Sequence, residues 1–574
     1  MKRENGTFTT FDQQSLFYQS WEHDVKPNGR VLLILHRGHE HSERLSTIAA
    51  KKEFAGYKIY SYDNRGHGET TVPATYEFMD LVRDLDAFVS FVCEKEQVTQ
   101  QKLFIIANSV AGVVASTWVH DYAPEIRGLA LVAPAFKIKL YVPYAAEALK
   151  LAITFKPDLN IKSYVKSRFL THDIAEQRRY DEDSKITPNI PAGQLTTLLD
   201  TAKRVVEDAA LIATPTLVLS ATKDYVVDSE IQGDFYARLG AANKKFVPLE
   251  GFYHGVLYES EHQQAIDEIA DFMKRCFAHK VKRIDEQMIR YTQDEQAKIT
   301  YGSLPVLRKA NYFIQRSAMR AFGNMSDGIK IGLRYGFDSG VTLDYVYRNE
   351  PNGSNLFGKA VDKNYLNSIG WRGIRQRKVH MMETIEEKIR LLRERGEEIR
   401  ILDIAGGPAR YLIEIAARHA DIEVRVRDYQ EQNVQEGMQL AKERGLQNIS
   451  YSQSDAFDPK SYSKESYRPN IVIISGVFEL FDDNRLIQHA IDGVTSIMDQ
   501  KSYLIYTGQP WHPQLEQIAN VLGNHRNKKW IMRRRAQYEL DHIFKASGFA
   551  KEGMRIDNWG IFTVSSASFT GSDV

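Results

Sequence analysis

Two strand–turn–helix signatures lie far apart in this chain of 574 residues. In the first, an apolar strand ends in a tight turn at Ser109, flanked by Ala107 and Ala111, and runs on into helical sequence. In the second, a strand ends at Asp403 and continues through the small-residue loop 405–409 into another helix. Turns of this kind present a side chain or backbone amides at one edge of a parallel sheet. The chain is also too long for one hydrophobic core, so we expect two or more domains.

The apolar patterning divides the chain into two α/β regions. Short apolar strands alternate with amphipathic helices from about residue 30 to 275, and a second alternation begins at Ile399 and ends with a predicted edge strand at 560–564. This rhythm predicts mostly parallel sheets that are covered by helices. We therefore predict four segments: a domain at 1–279, a helical linker at 280–305, an aromatic and glycine-rich segment at 306–395 and an α/β core at 396–574.

A break in the first alternation predicts a cap. Residues 136–205 are rich in Tyr, Lys and Leu and read as helical. An insertion at this point would lie over the carboxyl ends of the strands, where folds of this type bind ligands. The apolar helical sequence 145–155 has two explanations, since it could shield a lipophilic substrate or be buried against the sheet.

Composition excludes several classes of protein. The net charge of +1 gives no sign of a nucleic-acid partner. The two cysteines, Cys93 and Cys276, cannot form a disulfide framework and suit a reducing compartment. The N-terminal residues have no apolar run typical of a secretory signal, and no stretch of about 18 apolar residues predicts a transmembrane span. We expect a cytoplasmic protein.

Ser109 has a candidate base and a candidate acid at the ends of two later strands. A serine hydroxyl becomes a good nucleophile when a base takes its proton and a third group orients that base. Asp224 and His254 follow predicted strands in the order serine, acid, histidine that this turn uses. The pattern predicts the catalytic triad Ser109, Asp224 and His254. The alternative is an ordinary serine with a structural aspartate and a surface histidine.

With these residues in place, the first region resembles the capped α/β-hydrolases of the monoacylglycerol-lipase and lysophospholipase group. The family segment HGxGEHSxRY corresponds to residues 36–45, with Arg37 and His39 in place of glycines, and DxRGHGxS corresponds to residues 63–70. The resemblance implies an oxyanion hole formed by the backbone N–H groups of Gly38 and Val110. It also implies a small-molecule or lipid ester as substrate, and it explains His36, His39 and His41 as loop residues, so no metal is expected.

The second signature fits a cofactor that carries adenosine and a charged amino-acid tail. Such a cofactor needs a turn of small residues, an acid for the ribose diol and a further loop for adenine. The candidate residues are Asp403, Ala405, Gly406 and Gly407 for the turn, Asp428 and Tyr429 for the diol, and Asp455 and Ala456 for adenine.

This region resembles the class I S-adenosylmethionine-dependent methyltransferases. Its loop lacks GxGxxG spacing and begins with an acid at the end of a strand, which favours S-adenosylmethionine over a nicotinamide dinucleotide. The family pattern, an acid followed by three alternate glycines, maps to Asp403, Ala405, Gly407 and Ala409. With the segment before it, the region resembles methyltransferase domains fused behind such hydrolases in bacteria. A nucleotide-binding sensor is the alternative.

Three further residues are candidates for a methyl-acceptor site. His512 follows a predicted strand and could act as a base, although a structural turn histidine explains it as well. Arg372 and Arg375 lie in the aromatic segment and could bind an anionic acceptor, whereas packing explains most of their neighbours.

The sequence as a whole predicts a two-domain α/β chain, a capped α/β-hydrolase fold followed by a Rossmann-like class I methyltransferase fold. Its predicted function is a serine ester hydrolase joined to an S-adenosylmethionine-dependent methyltransferase. Two alternatives stay open: a catalytically idle hydrolase-like binding domain, and transfer of the acyl group to an alcohol instead of water. The ester, the methyl acceptor and the oligomeric state are not determined by the sequence.

Overall fold

The computed structural model describes residues 1–71, 76–279, 286–462 and 467–571. The chain forms two compact units, Met1–Asp285 and Glu286–Val574. Among the described residues, no helix is both long and apolar enough to cross a membrane.

The first unit is built on an eight-stranded sheet with two small strands outside it. The bounds are β1 Lys2–Thr9, β2 Ser15–Glu22, β3 Val31–Leu35, β4 Lys58–Tyr62, β5 Leu103–Asn108, β6 Gly128–Val132, β7 Asn160–Lys162, β8 Asn189–Pro191, β9 Thr216–Ala221 and β10 Lys244–Leu249. The main sheet has the order β1-β2-β4-β3-β5-β6-β9-β10, while β7 pairs with β8. The six strands from β4 to β10 in this order are mutually parallel, and β1 and β2 form an antiparallel hairpin at one edge.

Apolar sequence explains the centre of this sheet. Every residue of β3, β5 and β6 is buried, as expected for parallel strands covered on both faces. The helices of this unit are α1 Ser46–Ala49, α2 Phe78–Glu96, α3 Val110–Tyr122, α4 Ala145–Phe155, α5 Ile174–Asp181, α6 Ala192–Glu207, α7 Ser229–Arg238 and α8 Gln263–Ala278.

The segment between β6 and β9 contains α4, β7, α5, β8 and α6. The explanation that residues 145–155 are buried against the sheet is wrong, because α4, all of whose residues are described, has no buried residue. The helix contributes no residue to the lining of the cavity at Ser109, and shielding of a substrate stays a prediction. Phe155 at its C-terminus is 83% exposed. The helix packs along α6, and an apolar pattern does not by itself determine which side of a helix is covered.

The second unit contains a seven-stranded sheet. Its strands are β11 Arg400–Asp403, β12 Glu423–Asp428, β13 Ile449–Gln453, β14 Ile471–Ile474, β15 Tyr503–Gly508, β16 Phe549–Ile556 and β17 Thr563–Phe569, in the order β13-β12-β11-β14-β15-β17-β16. The first five run parallel, and β17 pairs antiparallel with both β15 and β16.

The expectation of an edge strand at 560–564 is wrong. The last strand starts at Thr563 and lies between β15 and β16, so that β16 forms the edge. Its first five residues are buried. A terminal strand can take an interior place because an antiparallel partner needs no crossover helix.

Helices form the rest of the second unit. They are α9 Glu286–Tyr301, α10 Val306–Phe322, α11 Asp327–Tyr335, α12 Gly340–Arg348, α13 Leu356–Leu366, α14 Ile369–Glu394, α15 Arg410–Arg418, α16 Glu431–Glu443, α17 Asn484–Thr495, α18 Leu515–Val521 and α19 Gln537–Ala546. The helix α9, within the range predicted as a linker, belongs to this unit. Aromatic residues of the segment 306–395 pack in a cluster with residues from loops near the sheet: Phe337, Tyr345, Trp371, Trp530 and Phe562.

Candidate active sites

The turn between β5 and α3 holds Ser109 in a strained conformation. Its φ and ψ are 51° and −113°, which is costly for a residue with a Cβ and is typical of functional turns. Backbone hydrogen bonds fix the turn, from Ser109 N to Val132 O at 2.9 Å and from Ala135 N to Ser109 O at 3.0 Å. Gly112 is closely packed in this turn, because a Cβ at that position would lie 2.8 Å from Pro134 Cβ.

Ser109, His254 and Asp224 form one hydrogen-bonded chain. The Ser109 hydroxyl donates to His254 Nε2 over 2.8 Å, and His254 Nδ1 donates to Asp224 Oδ2 over 2.7 Å. All three residues are buried. The other carboxylate oxygen, Asp224 Oδ1, accepts from the amides of Val226 at 2.7 Å and Val227 at 2.9 Å. The carboxylate is therefore held in place, and it fixes the tautomer of the histidine that suits proton abstraction.

The two predicted oxyanion donors lie next to this chain. Val110 is the first residue of α3, so the helix itself gives its N–H no acceptor. Gly38 is close to it, since a Cβ on Gly38 would be 3.3 Å from Val110 Cγ2. The loop is fastened by His36, whose Nε2 accepts from Asn64 N at 3.1 Å and whose Nδ1 donates to Arg37 O at 2.8 Å. Burial lowers the pKa of His36, which is consistent with this neutral tautomer.

The other two loop histidines bond to the segment between β6 and β9. His39 Nδ1 lies 2.7 Å from Thr187 O, and His41 Nε2 lies 3.0 Å from Asp183 Oδ2. Among the described residues there is no cluster of three side chains suited to a metal ion. These histidines therefore connect the loop to the residues above it.

A cavity of about 250 Å³ opens at the catalytic serine. Ser109, Val110, Gly38 and His254 line it at one side. Much of the rest is apolar and comes from the segment 136–205, including Ile138, Leu140, Ile161, Ile190, Leu195 and Leu198. A cavity of this composition suits a lipophilic group beside the nucleophile.

In the second unit, the loop after β11 is organised by two carboxylates. Asp403 is fully buried, accepts from Ala405 N at 3.2 Å and also accepts from the hydroxyl of Tyr411. Burial, together with the nearby charge of Asp428, raises the pKa of Asp403 to about 7. Burial and the same hydrogen bond raise the pKa of the Tyr411 hydroxyl well above its usual value.

Asp428, at the end of β12, holds the second half of the loop. Its Oδ2 accepts from Gly407 N at 2.9 Å, and its Oδ1 accepts from Gln430 N and from Asn433 Nδ2, both at 2.9 Å. Gly406 needs to lack a side chain, because a Cβ there would lie 2.8 Å from Asp403 Cγ. Gly407 has a φ of +58°, and the space beside it is open, so a ligand can approach its backbone closely.

The remaining predicted cofactor residues lie at the same edge of the sheet. Tyr429 follows Asp428 and is 67% exposed. Asp455 is exposed beyond the end of β13, and one of its carboxylate oxygens accepts from Phe457 N at 2.9 Å. Ala456 is buried. The strand order places β11, β12 and β13 side by side, so that the three loops are adjacent.

The three candidates for an acceptor site do not lie together. His512 lines a second cavity, of about 260 Å³, at the ends of β14 and β15. Arg372 is exposed, with its guanidinium over the Trp559 ring, and Arg375 donates to Leu366 O at 2.9 Å. Sequence reasoning missed four other residues that line this cavity: Arg377, Glu479, Gln509 and Trp530. Gln509 follows β15 and Glu479 follows β14, so the pattern of strand ends could have indicated both.

The two units define the class of the protein, a capped α/β-hydrolase fold followed by a Rossmann-like methyltransferase fold. A family model described as "Serine aminopeptidase, S33" matches residues 26–261, and one described as "Putative methyltransferase" matches residues 269–568. The chain belongs to the family that the second model describes, which covers more than half of it.

Relatives with curated names match the whole chain or its first unit. The uncharacterized protein YnbC of Escherichia coli (strain K12) is 42% identical over 98% of this chain and 97% of its own length. Phospholipase YtpA of Bacillus subtilis (strain 168) is 24% identical over 41% of this chain and 90% of its own. A monoacylglycerol lipase of Mycolicibacterium smegmatis is 21% identical over 47% of this chain and 97% of its own.

Proposed function

We propose that the first unit is a serine ester hydrolase. The observation that carries this proposal is the continuous chain of hydrogen bonds from Ser109 through His254 to Asp224 at the wall of an apolar cavity. Each residue has the partner that its role requires: a nucleophile beside a base, and a base oriented by a buried carboxylate.

In the proposed reaction, the Ser109 oxygen adds to the ester carbonyl carbon while its proton passes to His254 Nε2. Charge develops on the carbonyl oxygen, where the amides of Gly38 and Val110 would donate. The bond to the alcohol oxygen then breaks, and the alcohol leaves with the proton from His254. Water, activated in turn by His254, hydrolyses the acyl-serine, releases the carboxylic acid and restores the hydroxyl of Ser109.

The apolar lining of the cavity supports an ester with a lipophilic acyl chain. The names of two relatives, a phospholipase and a monoacylglycerol lipase, support the same class of substrate. Transfer of the acyl group to an alcohol differs only in the second nucleophile. Incubating the enzyme with an ester and added glycerol, and then identifying the products, separates these two reactions.

Labelling with a fluorophosphonate tests the hydrolase. We expect Ser109→Ala to abolish labelling, whereas Ser116→Ala should label like the wild type. Ser116 is a matched control because it is a buried serine on α3 whose hydroxyl has no hydrogen-bond partner. An unlabelled wild-type protein would favour the alternative of an idle hydrolase-like binding domain.

We infer a second function, S-adenosylmethionine-dependent methyl transfer, for the second unit. The open backbone at Gly407, between two strand-end carboxylates, is the observation that carries it. The residues fit this cofactor. The turn is built for a glycine at Gly406, and Asp403 and Asp428 end two neighbouring strands. The exposed ring of Tyr429 offers a flat surface next to Asp428. When bound, S-adenosylmethionine would supply a methyl group on a positively charged sulfonium.

The residues of the chain would divide the binding between them. Asp428 Oδ2 has one protein donor and keeps capacity for a ribose hydroxyl. Asp455 would hold adenine together with Ala456, and Asp403 would give the loop a negative charge near the cationic part of the cofactor. Because an in-line methyl transfer depends mainly on positioning, a rigid loop is what the chemistry requires.

Calorimetry with S-adenosylmethionine tests this assignment. We expect binding to the wild type and at least about tenfold weaker binding to Asp428→Asn, because the variant loses a charged acceptor. Asp458→Asn is the control, since Asp458 caps a short helix near the same edge through Lys460 N. Binding of a nucleotide such as ATP, with no binding of S-adenosylmethionine, would favour the sensor instead.

The two activities together make the chain a bifunctional enzyme, and their fusion motivates the hypothesis that both act on one lipid or acyl-derived metabolite. A cytoplasmic location fits the two free cysteines, Cys93 and Cys276, because a reducing compartment keeps thiols free. Burial raises the pKa of Cys93 to about 11 and that of Cys276 to about 12.

A further inference from the structure

The second cavity combines apolar walls with buried polar side chains that have no hydrogen-bond partner. It lies at the carboxyl ends of β14 and β15, and β14 is the neighbour of β11, the strand that ends at Asp403. Its walls are mainly apolar and include Trp371, Ile374, Ile518, Met532 and Phe562. An apolar cavity at the carboxyl edge of a parallel sheet is suited to a small molecule.

Gln509 and Trp530 line this cavity and carry polar side-chain atoms without partners. Both side-chain amide atoms of Gln509 and the indole nitrogen of Trp530 are buried and make no hydrogen bond. Gln509 is 3% exposed and Trp530 is 9% exposed. Leaving such groups unpaired is costly, because they give up their hydrogen bonds to water. Since buried polar groups are nearly always satisfied, unpaired ones around a single cavity point to a ligand that completes them.

His512 adds a third donor. Its Nδ1 accepts from Gln514 N at 3.0 Å, so the ring hydrogen is on Nε2. Burial lowers the pKa of His512 to about 3, and the ring is therefore neutral at physiological pH. The Nε2 edge faces Gly370, where a Cβ would approach to 3.2 Å. This arrangement favours a hydrogen-bond donor over the base considered from the sequence.

The charged groups that line the cavity are already paired. Arg377 Nη1 lies 3.4 Å from Glu479 Oε1, with its guanidinium over the Phe562 ring. Asp338 accepts from His525 N at 2.6 Å and lies 2.8 Å from the His525 ring. A charged ligand would have to displace one of these pairs, whereas a neutral one would not.

We propose that this cavity binds a neutral, mainly apolar small molecule that carries a hydroxyl or carbonyl oxygen, and that this molecule is the methyl acceptor. Trp530 Nε1 and His512 Nε2 donate to its oxygen, Gln509 both donates and accepts, and the apolar walls hold its body. The accepting atom would form its bond to the methyl carbon as the carbon–sulfur bond of the sulfonium breaks, and a proton carried by that atom would pass to water. The inference rests on the proposed methyltransferase function, because it assigns the substrate class of that same unit.

Fluorine NMR of the full chain labelled with 5-fluorotryptophan tests the cavity directly. Single Trp→Phe variants assign the resonances, and the probe is p-cresol, a neutral aromatic hydroxyl compound. We expect p-cresol to shift the resonances of Trp371 and Trp530 and to leave that of Trp559 unchanged. The matched probes p-xylene, which lacks the oxygen, and p-toluate, which is an anion, should bind at least about tenfold more weakly.

A variant isolates the polar contribution. Gln509→Leu keeps the size of the side chain and removes its hydrogen-bonding groups. We therefore expect the variant to bind p-cresol about five- to tenfold more weakly and to bind p-xylene with unchanged affinity. The proposal is overturned if p-toluate or p-xylene binds as well as p-cresol, if millimolar p-cresol shifts neither cavity resonance, or if Gln509→Leu binds p-cresol normally.

The same samples separate this inference from the proposed function. Titration with S-adenosylmethionine, followed by calorimetry, reports on the cofactor loop alone. Cofactor binding without selective p-cresol binding overturns only the substrate class. Selective p-cresol binding without cofactor binding keeps the cavity as a ligand site and overturns its role in methyl transfer.

Discussion

At the scale of single residues, the turn at Ser109 depends on a glycine outside the expected pattern. The positions usually taken by glycine hold Ala107 and Ala111, which are buried and fit. The tight contact is one residue further on, where Gly112 faces Pro134. The family pattern predicts small residues at 107 and 111, whereas the packing leaves no room for a Cβ at Gly112.

Replacing Gly112 should disturb the nucleophile. We expect Gly112→Ala to lower the free energy of unfolding of the first unit by about 1–3 kcal/mol and to slow fluorophosphonate labelling of Ser109, because a methyl group there clashes with Pro134. Ala111→Gly is the matched control and should cost no more than about 1 kcal/mol. Urea unfolding and labelling rates measure both effects, and equal labelling of the two variants would contradict the explanation.

The buried acid of the second unit should make cofactor binding depend on pH. The pKa of Asp403 is raised to about 7, so its carboxyl is neutral below this pH and negative above it. The sulfonium of the proposed cofactor keeps its positive charge at every pH. We therefore expect the affinity for S-adenosylmethionine to rise between about pH 6 and pH 8, and Asp403→Asn to bind weakly with little pH dependence.

Tyr411 provides the control for this prediction. Its hydroxyl donates to the ionised form of Asp403 and so lowers the pKa of that carboxyl against the effect of burial. Tyr411→Phe removes the donor, and the rise in affinity should move to higher pH. Calorimetric titrations at several pH values measure the midpoint. A midpoint that is the same in Tyr411→Phe and the wild type would show that another group titrates.

At the scale of elements, a buried charged cluster connects α3 to α6. His120 Nδ1 lies 2.6 Å from Asp121 Oδ1, and His120 Nε2 lies 2.7 Å from Asp208 Oδ2. Arg204 donates to both oxygens of Asp121. Burial alone would lower the pKa of His120, but the two carboxylates outweigh it and the pKa is raised. The two carboxylates therefore favour the protonated form of the ring.

This cluster should make the first unit less stable at alkaline pH. Since the pKa of His120 is higher in the folded protein than in the unfolded chain, its stabilisation is complete below about pH 6.5 and is lost as the pH rises through the folded value. We expect His120→Gln to lack that loss. Chemical unfolding at several pH values, with hydrogen exchange to localise it to α3 and α6, measures the difference. Parallel pH profiles for the two proteins would contradict it.

The sequence was informative about elements with local signals. Continuous apolar runs predicted β3, β5 and β6, and strand-end acids predicted the positions of Asp224, Asp403 and Asp428. The exposure of α4 and the place of β17 depend on contacts between distant segments, so burial of 145–155 and an edge strand at 560–564 were wrong expectations. The second cavity also depends on contacts between distant segments. Trp371 of α14 lines it together with Gln509 and Trp530, which lie far from α14 in the chain.

At the scale of the whole molecule, each unit has hydrophobic cores made from its own residues. In the first unit Phe104, Leu217 and Phe272 belong to one buried cluster. In the second, Ile401 and Ile473 belong to another, on one side of the sheet, and Leu504 to a third, on the other side. Because none of these described clusters contains residues from both units, each unit has its own source of stability.

This separation predicts two unfolding transitions. Phe272→Ala removes a fully buried side chain of the first unit and should lower the free energy of unfolding of that unit by about 3–5 kcal/mol. Ile473→Ala should lower that of the second unit by about 2–5 kcal/mol. In each variant the transition of the altered unit should move to lower temperature. A ligand raises only the transition of the unit that binds it, so S-adenosylmethionine should raise the transition that Ile473→Ala lowers. Calorimetry of the full chain measures all three shifts. Movement of both transitions in either variant would contradict the independent stability of the two units.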